Sequence, residues 1–236
     1  MTTQTKAVLF DLGGTLFTYR HFERARREGI ALFASWFGIA PAAVDQAFLD
    51  AAKVVWPRLT ELPYYLHRDL GRQSRMEAAR ILGVELSAER EQEYHDFAFA
   101  RQCEGFELRP GVFETLTELR QRGLHLGIVS NADRYQIAPW VNNSGLESYF
   151  DSILCSEEAQ SCKPDAAIYH EALRRAGCAP AEALFIGDTP DHDIAGANAV
   201  GLRSVLIIEH TEMGLPRGDV AAHHTIRELP EILALV

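Results

Sequence analysis

Residues 8–17 read VLFDLGGTLF. With Lys6 and Ala7 in front, they make an almost unbroken apolar run that ends on a single carboxylate, Asp11. A continuous apolar run of this length predicts a strand covered on both faces, the kind found in parallel sheets. Gly13 and Gly14 follow at once. Such a pair permits a tight turn, including a positive φ. The stretch therefore predicts a buried strand that delivers Asp11 to the mouth of a glycine turn.

Moving outward, the texture changes after Phe17. Phe22, Ala25, Ile30, Phe33, Ala34 and Phe37 recur at helical spacing, with Arg24, Arg26, Arg27 and Glu28 between them. This arginine cluster reads as a solvated helix face. Gly38 suits the end of that helix, and Pro41 suits the first turn of the next, expected to run to Trp56, before Pro57. Helical patterns continue over 64–82 and 87–101, the last with Ser87 placed to cap it. Trp36, Trp56, Tyr64 and Tyr65 read as packing residues of this block. From Pro110 the pattern alternates. Helices are expected over 111–123, 134–143, 165–176, 193–199 and 228–235, and strands over 124–131, 152–156, 183–187 and 203–208.

Alternation of this kind means a right-handed, parallel sheet with helices on both faces. Every other strand follows the helical block, and the first precedes it. The fold class expected is thus α/β: a Rossmann-like parallel sheet core over 1–17 and 103–236, with an inserted all-helical cap over 18–102. Ligands of open α/β sheets bind beyond the carboxyl ends of the strands. The cap is therefore expected to act as a lid on that edge.

The strand ends supply Asp11, Thr15, Ser130, Asn131, Lys163, Asp188 and Asp193. Several carboxylates gathered together require a cation to offset them. A divalent metal with oxygen ligands does this, Mg²⁺ being the common choice. A metal joined by a lysine, a hydroxyl and backbone amides is also a receptor for phosphate.

Four segments carry a resemblance: FDLGGTLF (10–17), IVSNAD (128–133), CKPDAAIYHEAL (162–173) and LFIGDTPDHDIAGANAVG (184–201). In this order, with an insertion of this length, the chain resembles the haloacid dehalogenase-like (HAD) hydrolase superfamily, in its helical-cap branch. The resemblance implies roles for matching positions. Asp11 would be the nucleophile, forming an aspartyl-phosphate, with Lys163 binding both it and the phosphoryl group. Thr15, Ser130 and Asn131 would line the phosphate site. Asp11, Asp188 and Asp193 would hold Mg²⁺ together with the backbone carbonyl of Gly13. The family's phosphatases carry a general acid–base aspartate at that last position. Gly13 keeps the carbonyl and lacks the carboxylate, a form of help worth roughly 10²–10⁴-fold in rate.

The expectation is a Mg²⁺-dependent hydrolase, a phosphatase of a small phosphorylated metabolite, slowed or made selective by Gly13. Two alternatives stand beside it. One is a phosphonatase-like C–P hydrolase forming an imine through Lys53, the only lysine of the cap. The other is a degenerate domain that binds without turnover. A metal-independent dehalogenase sits poorly with the acidic run IGDTPDHD.

Composition bounds the partners. The chain has 236 residues and a net charge of −10, which opposes binding to nucleic acid or an anionic membrane. Of 23 basic residues only Lys6, Lys53 and Lys163 are lysine. Cys103, Cys155, Cys162 and Cys178 form no C-x-x-C pair, and the nine histidines show no zinc spacing. His223 and His224 read as exposed. The start has no signal-peptide pattern and the longest uncharged run is too short to span a membrane. A cytoplasmic monomer or homodimer, with free thiols, is expected.

Overall fold

A computed structural model describes residues 4–208 and 220–236. The chain divides into two compact units, Arg20–Gly105 and the remainder, Met1–Tyr19 with Phe106–Val236. The divisions fall after Tyr19 and Gly105, not after Phe17 and Gln102 as the sequence suggested. Phe17 bridges to Leu108, and the Thr18 amide donates to the Glu107 carbonyl at 2.9 Å. The two connecting segments therefore stay with the sheet for a few residues more.

The helical unit holds α1 (Arg20–Phe37), α2 (Pro41–Thr60), α3 (His67–Leu82) and α4 (Ala88–Gln102). The apolar stripe of α1 supplies Ile30, Phe33 and Ala34, which pack against Val44, Ala79 and Tyr94 from the other three helices. Phe33 is fully buried and meets the ring of Phe48 edge-on at 5.5 Å. Trp36 and Phe37 pack on the rim of this cluster. Ser87 caps α4 as expected, accepting from the Arg90 amide at 3.3 Å. α2 differs from expectation, since it continues through Pro57 to Thr60. Proline cannot donate to the carbonyl four residues back and its ring crowds that carbonyl, so only one short turn follows it. The Pro57 carbonyl still accepts from the Glu61 amide at 3.3 Å. Among the described residues, no single helix is long and apolar enough to cross a membrane.

The sheet unit is built on six parallel strands: β1 (Ala7–Phe10), β2 (His125–Ser130), β3 (Ser152–Cys155), β4 (Ala183–Gly187), β5 (Arg203–Ile207) and β6 (His224–Ile226). Their order is β3-β2-β1-β4-β5-β6. Helices α5 (Val112–Gln121), α6 (Arg134–Asn143), α7 (Ser156–Ala159), α8 (Ala166–Ala176) and α9 (Ala195–Ala199) connect them. All residues of β1 and β4 are buried, as their continuous apolar runs require. Phe10 lies level with Ile128 on one side and Ile186 on the other. The chain leaves β1 in one direction for β2 and β3, and returns on its other flank for β4. That reversal places the switch point, and the crevice it creates, at the carboxyl end of β1.

Three further differences concern the C-terminal third. β6 was not anticipated, because HTI offers one apolar residue and no alternation. It exists through pairing with β5, with Val205 opposite His224 and Ile207 opposite Ile226. His223 is exposed, as read, and its amide donates to the Ser204 hydroxyl at 3.2 Å. The helix expected over 193–199 begins as a wide π-type turn, Pro190–Ile194, before α9. The terminal segment is a tighter 3₁₀ helix, Leu229–Ala234.

Candidate active site

Each polar residue at the crevice is delivered by a strand that has just ended. The Asp11 amide donates to the Ile186 carbonyl of β4 at 2.8 Å, so the ladder still holds the backbone at the point where Asp11 enters the crevice. Ser130 is the last residue of β2, and Asp188 follows directly on β4. Lys163 comes from the loop between α7 and α8, and Asp193 from the wide turn after β4.

Lys163 is the centre of the arrangement. Its Nζ donates to Asp11 Oδ1 and to Asp193 Oδ1, both at 2.6 Å. The ammonium also lies over the Phe185 ring, 5.6 Å from its centroid. Thr15 Oγ1 donates to Asp11 Oδ2 at 3.3 Å. The second oxygen of Asp193 accepts from the Thr189 amide at 2.9 Å. Asp188 Oδ1 accepts from the Thr189 hydroxyl at 3.2 Å. Oxygen atoms of Asp11, Asp188 and Asp193 all lie within 4.8 Å of one another, and all three residues are buried.

Charge in this site is unbalanced, with three carboxylates facing one ammonium. Burial pushes the Asp11 carboxyl up to about 6, and Asp193 adds to that while Lys163 opposes it. Asp188 is driven well above the usual carboxylate range by burial and then by Asp11 and Asp193. Burial alone would lower the Lys163 ammonium, but Asp11 and Asp193 outweigh it and raise it. The residues present fit a divalent cation. Hard oxygen donors converge, and their excess negative charge is what a cation of this kind neutralises.

Two glycines are required by the site. Gly14 has φ +76°, and a Cβ there would lie 2.5 Å from Asp188 Oδ2. At Gly187 a Cβ would lie 2.3 Å from the Asp193 Cβ and Cγ. Any side chain at either place displaces a carboxylate. Gly13 is different. It does not have a positive φ, so of the pair only Gly14 uses the turn's left-handed conformation. A Cβ on Gly13 would lie 3.2 Å from Tyr19 Cε1 and 3.5 Å from Phe17 Cε2.

The structure brings together Asp11, Thr15, Lys163, Asp188 and Asp193 through direct bonds or shared oxygen geometry, with Ser130 buried at the end of the neighbouring strand. It gives Asn131 a different task. The Asn131 amide nitrogen donates to the Lys163 carbonyl at 3.0 Å, and its oxygen accepts from the Lys163 amide at 2.7 Å. Both ends of the side chain hold the Lys163 backbone, so Asn131 positions the lysine, with one amide hydrogen left over. Lys53 is not placed as an imine-forming lysine. It is exposed on α2 and paired with Asp50 at 2.8 Å, whereas such a lysine needs a desolvated or cation-rich pocket.

Three contributors were missed in the sequence. Arg109 holds the Gly14 carbonyl from Nε at 2.9 Å and from a terminal nitrogen at 2.6 Å, bracing the turn. Its place in RPG ahead of α5 was the only signal, and nothing local gave it a partner. Tyr169 donates to the His192 carbonyl at 2.7 Å, fastening the wide turn that carries Asp193. Tyr19 donates to the Gly13 carbonyl at 2.9 Å, with no sequence cue at all.

Comparison with known proteins agrees with this geometry. The haloacid dehalogenase-like hydrolase family matches residues 5–201. Haloacid dehalogenase-like hydrolase domain-containing protein 3 of Bos taurus is 33% identical over 219 residues, covering 86% of this chain and 82% of its own. Glyceraldehyde 3-phosphate phosphatase of Methanopyrus kandleri is 30% identical over 203 residues, covering 86% and 83%. The magnesium-bound HAD-hydrolase YfnB of Bacillus subtilis shares the fold with a TM-score of 0.78 at 20% identity, over 98% of each chain. The parallel sheet, the inserted helices and the four matched segments thus have one origin: the chain belongs to the haloacid dehalogenase-like hydrolase family.

Proposed function

We propose that this hydrolase is a Mg²⁺-dependent phosphatase of small phosphorylated metabolites that works through an aspartyl-phosphate on Asp11. The observation that carries the reading is Lys163, bonded at 2.6 Å to both Asp11 and Asp193 inside a buried triad of carboxylates. The relative from Methanopyrus kandleri, named for hydrolysis of a small phosphate ester, supports it.

Asp11 stands at the end of a rigid strand with one oxygen on Lys163 and the other on Thr15. In that position it is aimed for attack on phosphorus, the P–O bond to the leaving group breaking as the acyl phosphate forms. Lys163 keeps the carboxylate oriented and offsets charge as the phosphoryl group approaches. Ser130 and Thr15 offer hydroxyl donors to the phosphoryl oxygens. Asp11, Asp188 and the Gly13 carbonyl would hold the metal, with Asp193 alongside. A carbonyl oxygen has two lone pairs, so the bond from Tyr19 leaves one for a cation. When bound, Mg²⁺ neutralises the excess carboxylate charge and the charge of the transferring group.

The test is release of p-nitrophenol from p-nitrophenyl phosphate by wild type and Asp11→Asn, with Mg²⁺ and with EDTA. Turnover that requires both Asp11 and the metal is expected. Turnover that persists in EDTA, or in Asp11→Asn, would sink the proposal. The absent side chain at Gly13 favours a second reading, a domain that binds phosphorylated ligands without turnover. Turnover that depends on Asp11 excludes it.

A further inference from the structure

Phosphoryl transfer to Asp11 leaves an electron pair on the leaving oxygen. For an alkoxide that pair needs a proton, and general chemistry asks where the proton comes from. The donors bonded into the site are engaged with its carboxylates, and the reading above gives the Ser130 hydroxyl to a phosphoryl oxygen. Lys163 donates to two carboxylates, and Thr15 donates to Asp11 itself. Asp193 has one oxygen on Lys163 and the other on the Thr189 amide. Asp188 faces the excess negative charge that a cation must offset.

Position 13 is two residues from the nucleophile and carries no side chain. Its space is not empty. A Cβ there would lie 3.2 Å from Cε1 of the half-buried Tyr19 ring, whose hydroxyl donates to the Gly13 carbonyl. A carboxylate introduced at position 13 would need that ring to give by a few tenths of an ångström.

Building on the phosphatase reading above, we propose that Tyr19 and Gly13 together restrict this site to phosphoryl donors whose leaving oxygen departs unprotonated. The substrate class is acyl, enol and aryl phosphates, not alkyl phosphate esters. In the first step an Asp11 oxygen bonds to phosphorus. The bond from phosphorus to the leaving oxygen breaks, and the pair stays there as a carboxylate, enolate or phenolate. In the second step water attacks phosphorus and the P–O bond to Asp11 breaks, its pair returning to the carboxylate. The proton of the water goes to a phosphoryl oxygen of the released phosphate. With no base at position 13, this second step is slow, so the phosphorylated enzyme accumulates.

The experiment compares acetyl phosphate, p-nitrophenyl phosphate, phenyl phosphate and ethyl phosphate with Mg²⁺, each corrected for the Asp11→Asn background. Moving from phenyl to ethyl phosphate, kcat/KM is expected to fall by at least about 10²–10⁴-fold, the size of the contribution that a positioned acid makes. Intact-mass measurement during turnover of acetyl phosphate is expected to show a phosphoryl adduct that Asp11→Asn lacks. Gly13→Asp alone is expected to gain little on ethyl phosphate, and Gly13→Asp with Tyr19→Ala to gain about 10²-fold. A cooperative urea melt reports that each variant is folded.

Wild-type rates on ethyl and phenyl phosphate within about tenfold would show that another group supplies the proton, and would overturn the inference. A full gain in Gly13→Asp alone would overturn the part assigned to Tyr19. If no donor in the series shows turnover dependent on Asp11, the phosphatase reading itself falls and this inference falls with it, a result distinct from the other two.

Discussion

Each unit of this protein buries a cationic side chain, and the two do so on opposite terms. In the helical unit Arg75 pairs with Glu91 through Nε at 3.0 Å, and stands over the Tyr94 ring at 5.3 Å. One cation meets one anion, and the pair joins α3 to α4. In the sheet unit Lys163 meets Asp11 and Asp193, with Asp188 close by and no second ammonium. A balanced pair needs nothing further and serves packing. An unbalanced cluster is held together at a standing cost to stability, which sites of chemistry tolerate because a ligand relieves it. The difference marks the cluster in the sheet unit as the candidate for chemistry and the pair in the helical unit as a packing contact.

The comparison breaks first on the two cations. Lys163→Met leaves Asp11 and Asp193 buried without their cation. It should lose about 3–5 kcal/mol of stability and all turnover of p-nitrophenyl phosphate. Arg75→Met should cost less, about 1–3 kcal/mol, because Arg75 and Glu91 both keep some solvent contact, and it should retain turnover. Urea melts and one assay measure both. Equal losses of activity in folded protein would erase the distinction.

A pH series sharpens it. In the chelated protein the Asp11 carboxyl sits at about 6, against 3.8 for the free side chain. The folded state therefore binds more protons than the unfolded state between those values. Stability contributed by this group is present at low pH and is lost as pH rises from about 4 to 6. The change is on the order of 3 kcal/mol. Saturating Mg²⁺ should flatten this slope in denaturation curves. A slope of the opposite sign would mean that Lys163 dominates the carboxylates.

Asp188→Asn removes one of the crowded carboxylates with little change in shape. Melting in EDTA should show a gain of about 1–2 kcal/mol, while Mg²⁺ no longer raises the melting temperature. A loss of stability in EDTA would argue that the cluster is not frustrated. Ser87→Ala is the smallest change. Loss of the α4 cap should cost about 1 kcal/mol, seen as a lower urea midpoint with turnover at saturating substrate unaffected.

Most of the fold was legible because burial writes itself into local patterns. KAVLF and ALFIG could be read as strands since both of their faces are covered. The helical block showed the periodicity of amphipathic helices. The failures share one cause. β6 has almost no apolar signal and exists through its hydrogen bonds to β5. α2 continues one turn past Pro57, a residue whose local preference is to end a helix. At the site, Asp11, Lys163, Asp188 and Asp193 stood out as polar residues ending apolar runs or following them. Asn131 was expected to line the phosphate site, and its bond to the backbone of Lys163, 32 residues away, was not legible.

Sequence alone was sufficient for what depends on neighbours along the chain. This covers the parallel α/β class, the inserted helices, the carboxylates at strand ends and the missing side chain at position 13. Strand and helix patterns are sums over short windows, so they survive without knowledge of the rest. Tertiary structure decided who bonds to whom. Lys163 reaches Asp11 across 152 positions, Arg109 reaches Gly14 across 95, and the Tyr19 ring takes the place beside Gly13. Contacts of that kind depend on loop closure and on tenths of an ångström in packing, and neither is encoded in the spacing of residue types.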